Sequence, residues 1–71
     1  MAYQREIGRA IRVQRIRAGY SIEKLANKAG ISTSYLSLLE RGYRAPSKRV
    51  FLMLVTNLGE HDFFKMLFDR H

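Results

Sequence analysis

Cysteine is missing from this 71-residue chain, which excludes disulfide staples and thiolate metal sites and suits a reducing cytoplasm, the expected location. Acids are scarce: six stand against thirteen lysines and arginines, leaving a net charge of +7. That excess raises the expectation of a polyanionic partner, although a basic, soluble surface alone would also account for it. No apolar run approaches the ~20 residues that a membrane-spanning helix needs, and the N-terminus lacks the apolar segment of a signal peptide. Strand alternation, internal repeats, low-complexity tracts and linkers are absent as well. The length predicts one domain over residues 1–71, with a small core that depends on close helix packing or an oligomeric partner.

What is present is helical periodicity. Residues 4 to about 18 are expected to form a first helix, with Ile7, Ile11 and Ala18 on its inner face and Arg5, Arg9, Arg12 and Arg17 outward. Gln14 falls on the inner stripe, where a leucine would sit more comfortably. Gly19 ends this helix and Ser21 is placed to cap the next. In the second helix Ile22, Leu25, Ala26 and Ala29 make an i, i+3, i+4, i+7 stripe. Gly30 follows, where a residue free to take positive φ reverses the chain. Ser32 then offers its oxygen to the amides of a third helix over residues 33–41, which Gly42 stops.

Leu36 and Leu39 give the third helix a buried side, while Thr33, Ser34 and Ser37 put short hydrogen-bonding groups on the other. Residues 43–47 make a turn, and Pro46 precedes a fourth helix capped by Ser47. Phe51, Leu54, Val55 and Leu58 are its expected buried stripe, and Gly59 breaks it. Residues 60–68 suggest a short fifth helix, with Glu60 and Asp62 near its positive end. The fold class expected is all-α.

The sequence resembles the lambda-repressor/Cro superfamily, the XRE-type helix-turn-helix regulators. The resemblance rests on Ile11, Arg12 and Arg15 in helix one, on Gly19-Tyr20-Ser21 and on Leu25-Ala26. It continues through Ala29-Gly30-Ile31-Ser32, Ser34-Tyr35-Leu36-Ser37, Glu40-Arg41-Gly42 and Pro46-Ser47. It covers residues 5 to about 60, and the order and spacing of the pieces make it strong. It implies a compact five-helix domain with a helix-turn-helix at about residues 21–41, binding operator DNA as a dimer with helix three in the major groove.

By position, the resemblance makes Thr33, Ser34 and Ser37 base-facing, with Leu38 at another position that often faces DNA. It also implies a structural ion pair between Arg15 and Glu40, which by itself is weak evidence for net stability. Family members often place a phosphate-binding glutamine where this chain has Ile22, so the contact there must come from Ser21 or backbone amides. The residues read for themselves agree, since helix N-termini at Ser21, Ser32 and Ser47 offer free amides and partial positive charge to phosphate. Serine caps are common in any helical protein, but Arg41, Arg44, Lys48 and Arg49 cluster around the turn after helix three and favour phosphate clamping. Tyr43 either hydrogen-bonds phosphate or covers the core, and Leu38 either touches a thymine methyl or folds back onto apolar neighbours. No arginine lies in the exposed middle of helix three, so discrimination leans on water and DNA shape.

The tail is unusually apolar. One amphipathic face would bury Phe63 and Leu67, leaving Phe64, Met66 and Phe68 for a two-fold dimer interface on a helix over about residues 60–69. Catalytic signals are absent: His61 and His71, even with Asp62 and Asp69, have no zinc-ligand spacing, and no phosphate-cradling glycine loop or nucleophile elbow occurs. An enzyme, a cofactor and a metal are therefore not expected. The expected function is a transcriptional regulator, most plainly a repressor, binding a near-palindromic duplex as a homodimer. The alternative is an antitoxin or interaction subunit whose aromatic tail grips a regulatory protein partner.

Overall fold

The computed structural model describes residues 2–59, in which four helices follow one another: α1 (Ala2–Arg17), α2 (Ile22–Ala29), α3 (Thr33–Glu40) and α4 (Lys48–Leu58). Among the described residues no strand occurs, as the all-α expectation requires. The fifth helix expected over 60–68, with the proposed interface residues Phe64, Met66 and Phe68, lies outside the described residues.

Each of the last three helices starts for the same local reason. Ser21, Ser32 and Ser47 hold extended backbone and accept, through Oγ, the amide hydrogens of Lys24, Tyr35 and Val50 at 3.1, 3.0 and 3.2 Å. Such a cap satisfies one of the donors that a helix start leaves orphaned, and contributes about 1 kcal/mol.

The core lies between all four helices, with α1 and α2 each packed against both α3 and α4. Ile11, Leu25, Leu36, Leu39 and Leu54 are its largest fully buried side chains. Ile7, Ala10, Ala26, Ala29, Val50, Val55 and Leu58 complete it, and Tyr20, Ile22, Ile31, Tyr35 and Phe51 pack on its margin. Gln14 is buried at 3% exposure, yet among the described residues no buried side-chain polar atom lacks a hydrogen-bond partner.

Four sequence expectations need correction. Ala18, placed inward by periodicity, is exposed: α1 stops at Arg17, and the Tyr20 amide reaches back to the Arg15 carbonyl at 3.1 Å. That closure swings residue 18 out and lays Tyr20 on the core instead. In α4 Leu54, Val55 and Leu58 are buried as expected, but in the first turn Val50 is the buried residue and Phe51 is only half-buried, at the rim of a groove it shares with Tyr3 and Ile7. Ile22, at the first position of α2, is likewise half-buried rather than inside. Helix three ends one residue early, with Arg41 as its C-cap.

Gly8 carries no signal in the hydrophobic pattern, yet it sets how α1 meets α3. A Cβ there would collide with the Leu39 carbonyl oxygen and stand 2.8 Å from that of Glu40. The backbone of α1 thus rides directly on the last turn of α3. In an exposed helix, glycine to alanine stabilises by about 1 kcal/mol. Here the sign should reverse: Gly8→Ala is expected to destabilise the fold by roughly 1–3 kcal/mol through overpacking. Urea unfolding of the two proteins measures this, and an unchanged or raised midpoint would contradict the close α1–α3 approach.

Candidate nucleic-acid interface

The turn between α2 and α3 is built by Gly30 in the left-handed conformation, φ 71°. Its amide bonds to the Asn27 carbonyl at 3.2 Å while that of Ile31 reaches Ala26 at 3.0 Å, closing the last turn of α2. A side chain bearing Cβ is strained in this conformation, so glycine lets the chain reverse within three residues. Ser32 then caps α3 at once.

α3 is eight residues long, about 12 Å, with a diameter that suits the ~12 Å width of a B-DNA major groove. Leu36 and Leu39 hold it to the core. On its outer side Thr33 and Ser34 are exposed and Ser37 is half-buried. Leu38 is half-buried but not among the side chains packed on the core, so an apolar edge remains accessible. The hydroxyl-bearing side therefore faces outward.

What orients so short a helix is an arginine from α1. Arg15 donates from Nε to Glu40 Oε2 at 2.7 Å and from Nη2 to Oε1 at 3.1 Å, while Nη1 donates to the Tyr20 carbonyl at 2.9 Å. The two side chains are 14% and 6% exposed. One planar fork thereby joins α1, the start of the α2 approach and the end of α3, a geometry that an ammonium could not reproduce.

Around this unit the charge is one-sided. Eleven of the thirteen cations but only three of the six acids fall within residues 2–59. The first turns of α3 and α4 contain no acid, and α4 opens instead with exposed Lys48 and Arg49. Cations at that end oppose the helix dipole, so the arrangement costs stability unless an anion sits there. Beyond α3 the Arg41 guanidinium lies 5.1 Å from the centre of the Tyr43 ring. Tyr43 is 68% exposed, which removes the core-covering option and leaves it beside exposed Arg44. The serine caps are also exposed, and each keeps its own hydroxyl proton to donate after accepting an amide hydrogen. The Arg41–Tyr43 stack and the Arg15–Tyr20 contact had no signature in spacing.

Among the described residues no group of acids and histidines could hold a metal ion, and no helix is long and apolar enough to cross a membrane. His61 and His71 lie outside them.

Two short helices around a glycine turn, the second outward-facing and braced from α1, define a helix-turn-helix domain of the lambda-repressor/Cro type. Residues 11–62 match the helix-turn-helix family model, and the chain belongs to this DNA-binding family. Over 50 residues it is 50% identical to the HTH-type transcriptional regulator SlrR of Bacillus subtilis (strain 168), spanning 70% of this chain and 33% of that protein. It is 35% identical over 65 residues to the HTH-type transcriptional regulator SinR of the same organism, which covers 92% of this chain and 59% of the relative. The SinR of Bacillus licheniformis is 42% identical over 50 residues, or 70% of this chain and 45% of the relative. The chain thus spans from a third to under two thirds of these relatives.

Removing one side of the Arg15–Glu40 pair leaves a largely buried charge without its counterion. Arg15→Met is expected to cost about 3–5 kcal/mol, whereas Arg15→Met with Glu40→Leu should recover much of the loss. Chemical denaturation of both variants decides it: equal losses in the single and double variants would show that the charge left behind is not the source of the cost.

Proposed function

We propose that this chain regulates transcription by reading double-stranded DNA with α3 in the major groove, acting as a repressor that occludes a promoter. The observation that carries the proposal is the outward hydroxyl side of α3, held by the Arg15 fork and flanked by cations on both the loop and α4. Thr33, Ser34 and Ser37 are the base-reading groups, and Leu38 supplies an apolar edge for a thymine methyl. Ser21, Ser32 and Ser47 donate their hydroxyl protons to phosphate from helix starts, and Arg41, Tyr43, Arg44 and Lys48 hold the backbone beside them. The relatives' names, which describe transcriptional regulators and no enzyme, support the same reading.

A single eight-residue helix touches few base pairs, so a site long enough to be selective calls for two copies. The dimer proposed here uses Phe64, Met66 and Phe68, chosen from the sequence of the tail alone. Sedimentation at micromolar concentration tests that assignment: Phe64→Ser with Phe68→Ser should turn a dimer into a monomer. A parent chain that remains monomeric on its operator would remove it, and a stoichiometric complex with an unrelated protein would favour the partner-binding alternative.

Selection from a random duplex pool should return near-palindromic sites with half-sites one helical turn, about 10 base pairs, apart. On the selected site Thr33→Ala or Ser34→Ala should cost roughly 1–3 kcal/mol, with little change on random DNA. Arg44→Ala or Lys48→Ala should instead weaken all sequences alike and reduce the log–log salt slope by ~0.9 for each phosphate no longer neutralised. Fluorescence anisotropy over a salt series separates the two classes. Equal losses on specific and random DNA would strike Thr33 and Ser34 from the base-reading set.

A further inference from the structure

The helix-turn-helix does not account for one strongly charged stripe of the molecule. Arg5, Gly8, Arg12 and Arg15 stand at i, i+3, i+7 and i+10 on α1, so they share one side of it. Three of the four are placed against the end of α3. Gly8 abuts the Leu39 and Glu40 carbonyls, and Arg15 grips Glu40. Arg5 crosses Gly42: a Cβ built on that glycine would lie 2.7 Å from Arg5 Cγ and 3.0 Å from its Cα. The arginine therefore passes over the loop where no side chain obstructs it, next to the Arg41–Tyr43 stack. Arg12 continues the stripe one turn beyond Gly8, and Arg5, Arg12, Arg41 and Arg44 are all exposed.

The acid at the end of α3 is already committed. Both carboxylate oxygens of Glu40 receive Arg15, which leaves no carboxylate of that helix end to neutralise Arg5 or Arg12. Three carbonyls of the last turn of α3 are occupied too, since Arg41, Gly42 and Tyr43 donate their amides to Ser37, Leu39 and Leu38 at 3.0 to 3.1 Å. Cations gathered from two elements around a helix end whose one carboxylate is already paired favour an external anion.

We propose that Arg5 and Arg12 are backbone-phosphate contacts that carry the DNA footprint off the helix-turn-helix and onto α1. The inference rests on α3 entering the groove. The end of α3 then meets a groove wall, where a phosphate strand passes between the loop cations Arg41 and Arg44 and the α1 cations Arg5 and Arg12. Guanidinium forks suit phosphate oxygens better than single ammonium donors, and all four positions are arginine. Such contacts add affinity and register without sequence information.

The test uses the full 71-residue chain and a random-sequence duplex, with affinity followed from about 50 to 200 mM salt. Arg5→Gln with Arg12→Gln should reduce the log–log slope by about 1.8, or ~0.9 for each of the two phosphates released. Arg17→Gln, exposed on α1 but off the stripe, is the control for charge alone and should leave the slope as it is. Thermal melting of each variant confirms that folding is retained. An unchanged slope in the double variant, while Arg44→Ala lowers its own, would overturn the α1 assignment and leave the groove reading standing. A reduction matched by Arg17→Gln would reduce the effect to net charge and also overturn it. Absence of duplex binding by the parent would end both readings together.

Discussion

The three bonds made by the Arg15 guanidinium are the constraint on which the outward side of α3 depends. An isolated helix of eight residues has too few hydrogen bonds to offset its nucleation cost, so α3 exists and points outward only because its surroundings hold it. Two leucines attach it to the core, but an apolar contact has no direction of its own. The fork supplies direction, because a planar guanidinium meets a carboxylate in one geometry. Two turns away, Gly8 sets the distance by allowing the backbone of α1 to touch the last carbonyls of α3. Angle and distance are therefore both specified from α1, a helix outside the helix-turn-helix itself.

The molecule also stores unfavourable electrostatics. Residues 2–59 hold nearly all the cations and half the acids, and α4 presents Lys48 and Arg49 at its own positive end. A protein selected for stability alone would place acids there. Under the proposed DNA reading, a phosphate backbone would supply the missing negative charge, and its displaced counterions would provide much of the binding free energy. On that proposal, stability given up in the free protein would reappear as affinity, and the capped helix ends would share a partner with the exposed face of α3.

Local chemistry was readable and relayed geometry was not. Ser21, Ser32 and Ser47 could be assigned as caps, and Gly30 as the turn, because each acts within three residues of itself. Leu25, Ala26, Ala29, Leu36, Leu39, Leu54, Val55 and Leu58 follow from periodicity for a similar reason. Ala18 misled because its place on the stripe presumes that α1 continues; the chain closes at Arg17 and Tyr20 takes the position. Phe51 misled because its spacing from Leu54, Val55 and Leu58 put it on the stripe, whereas the neighbouring Val50 is the residue of the first turn that packs inside. Arg15 and Glu40 stand 25 residues apart, and only resemblance to a family paired them.

The sequence by itself determined four things: an all-helical chain, the starts of three helices, a glycine reversal and a surplus of positive charge. Each is a property of neighbours along the chain or of composition, and none needs the fold to be known. Tertiary structure alone decided that Arg5 crosses Gly42 and that Gly8 bears on α3. Those depend on the approach and rotation of helices, which side-chain volume and one buried fork set together. No periodicity in the chain records them.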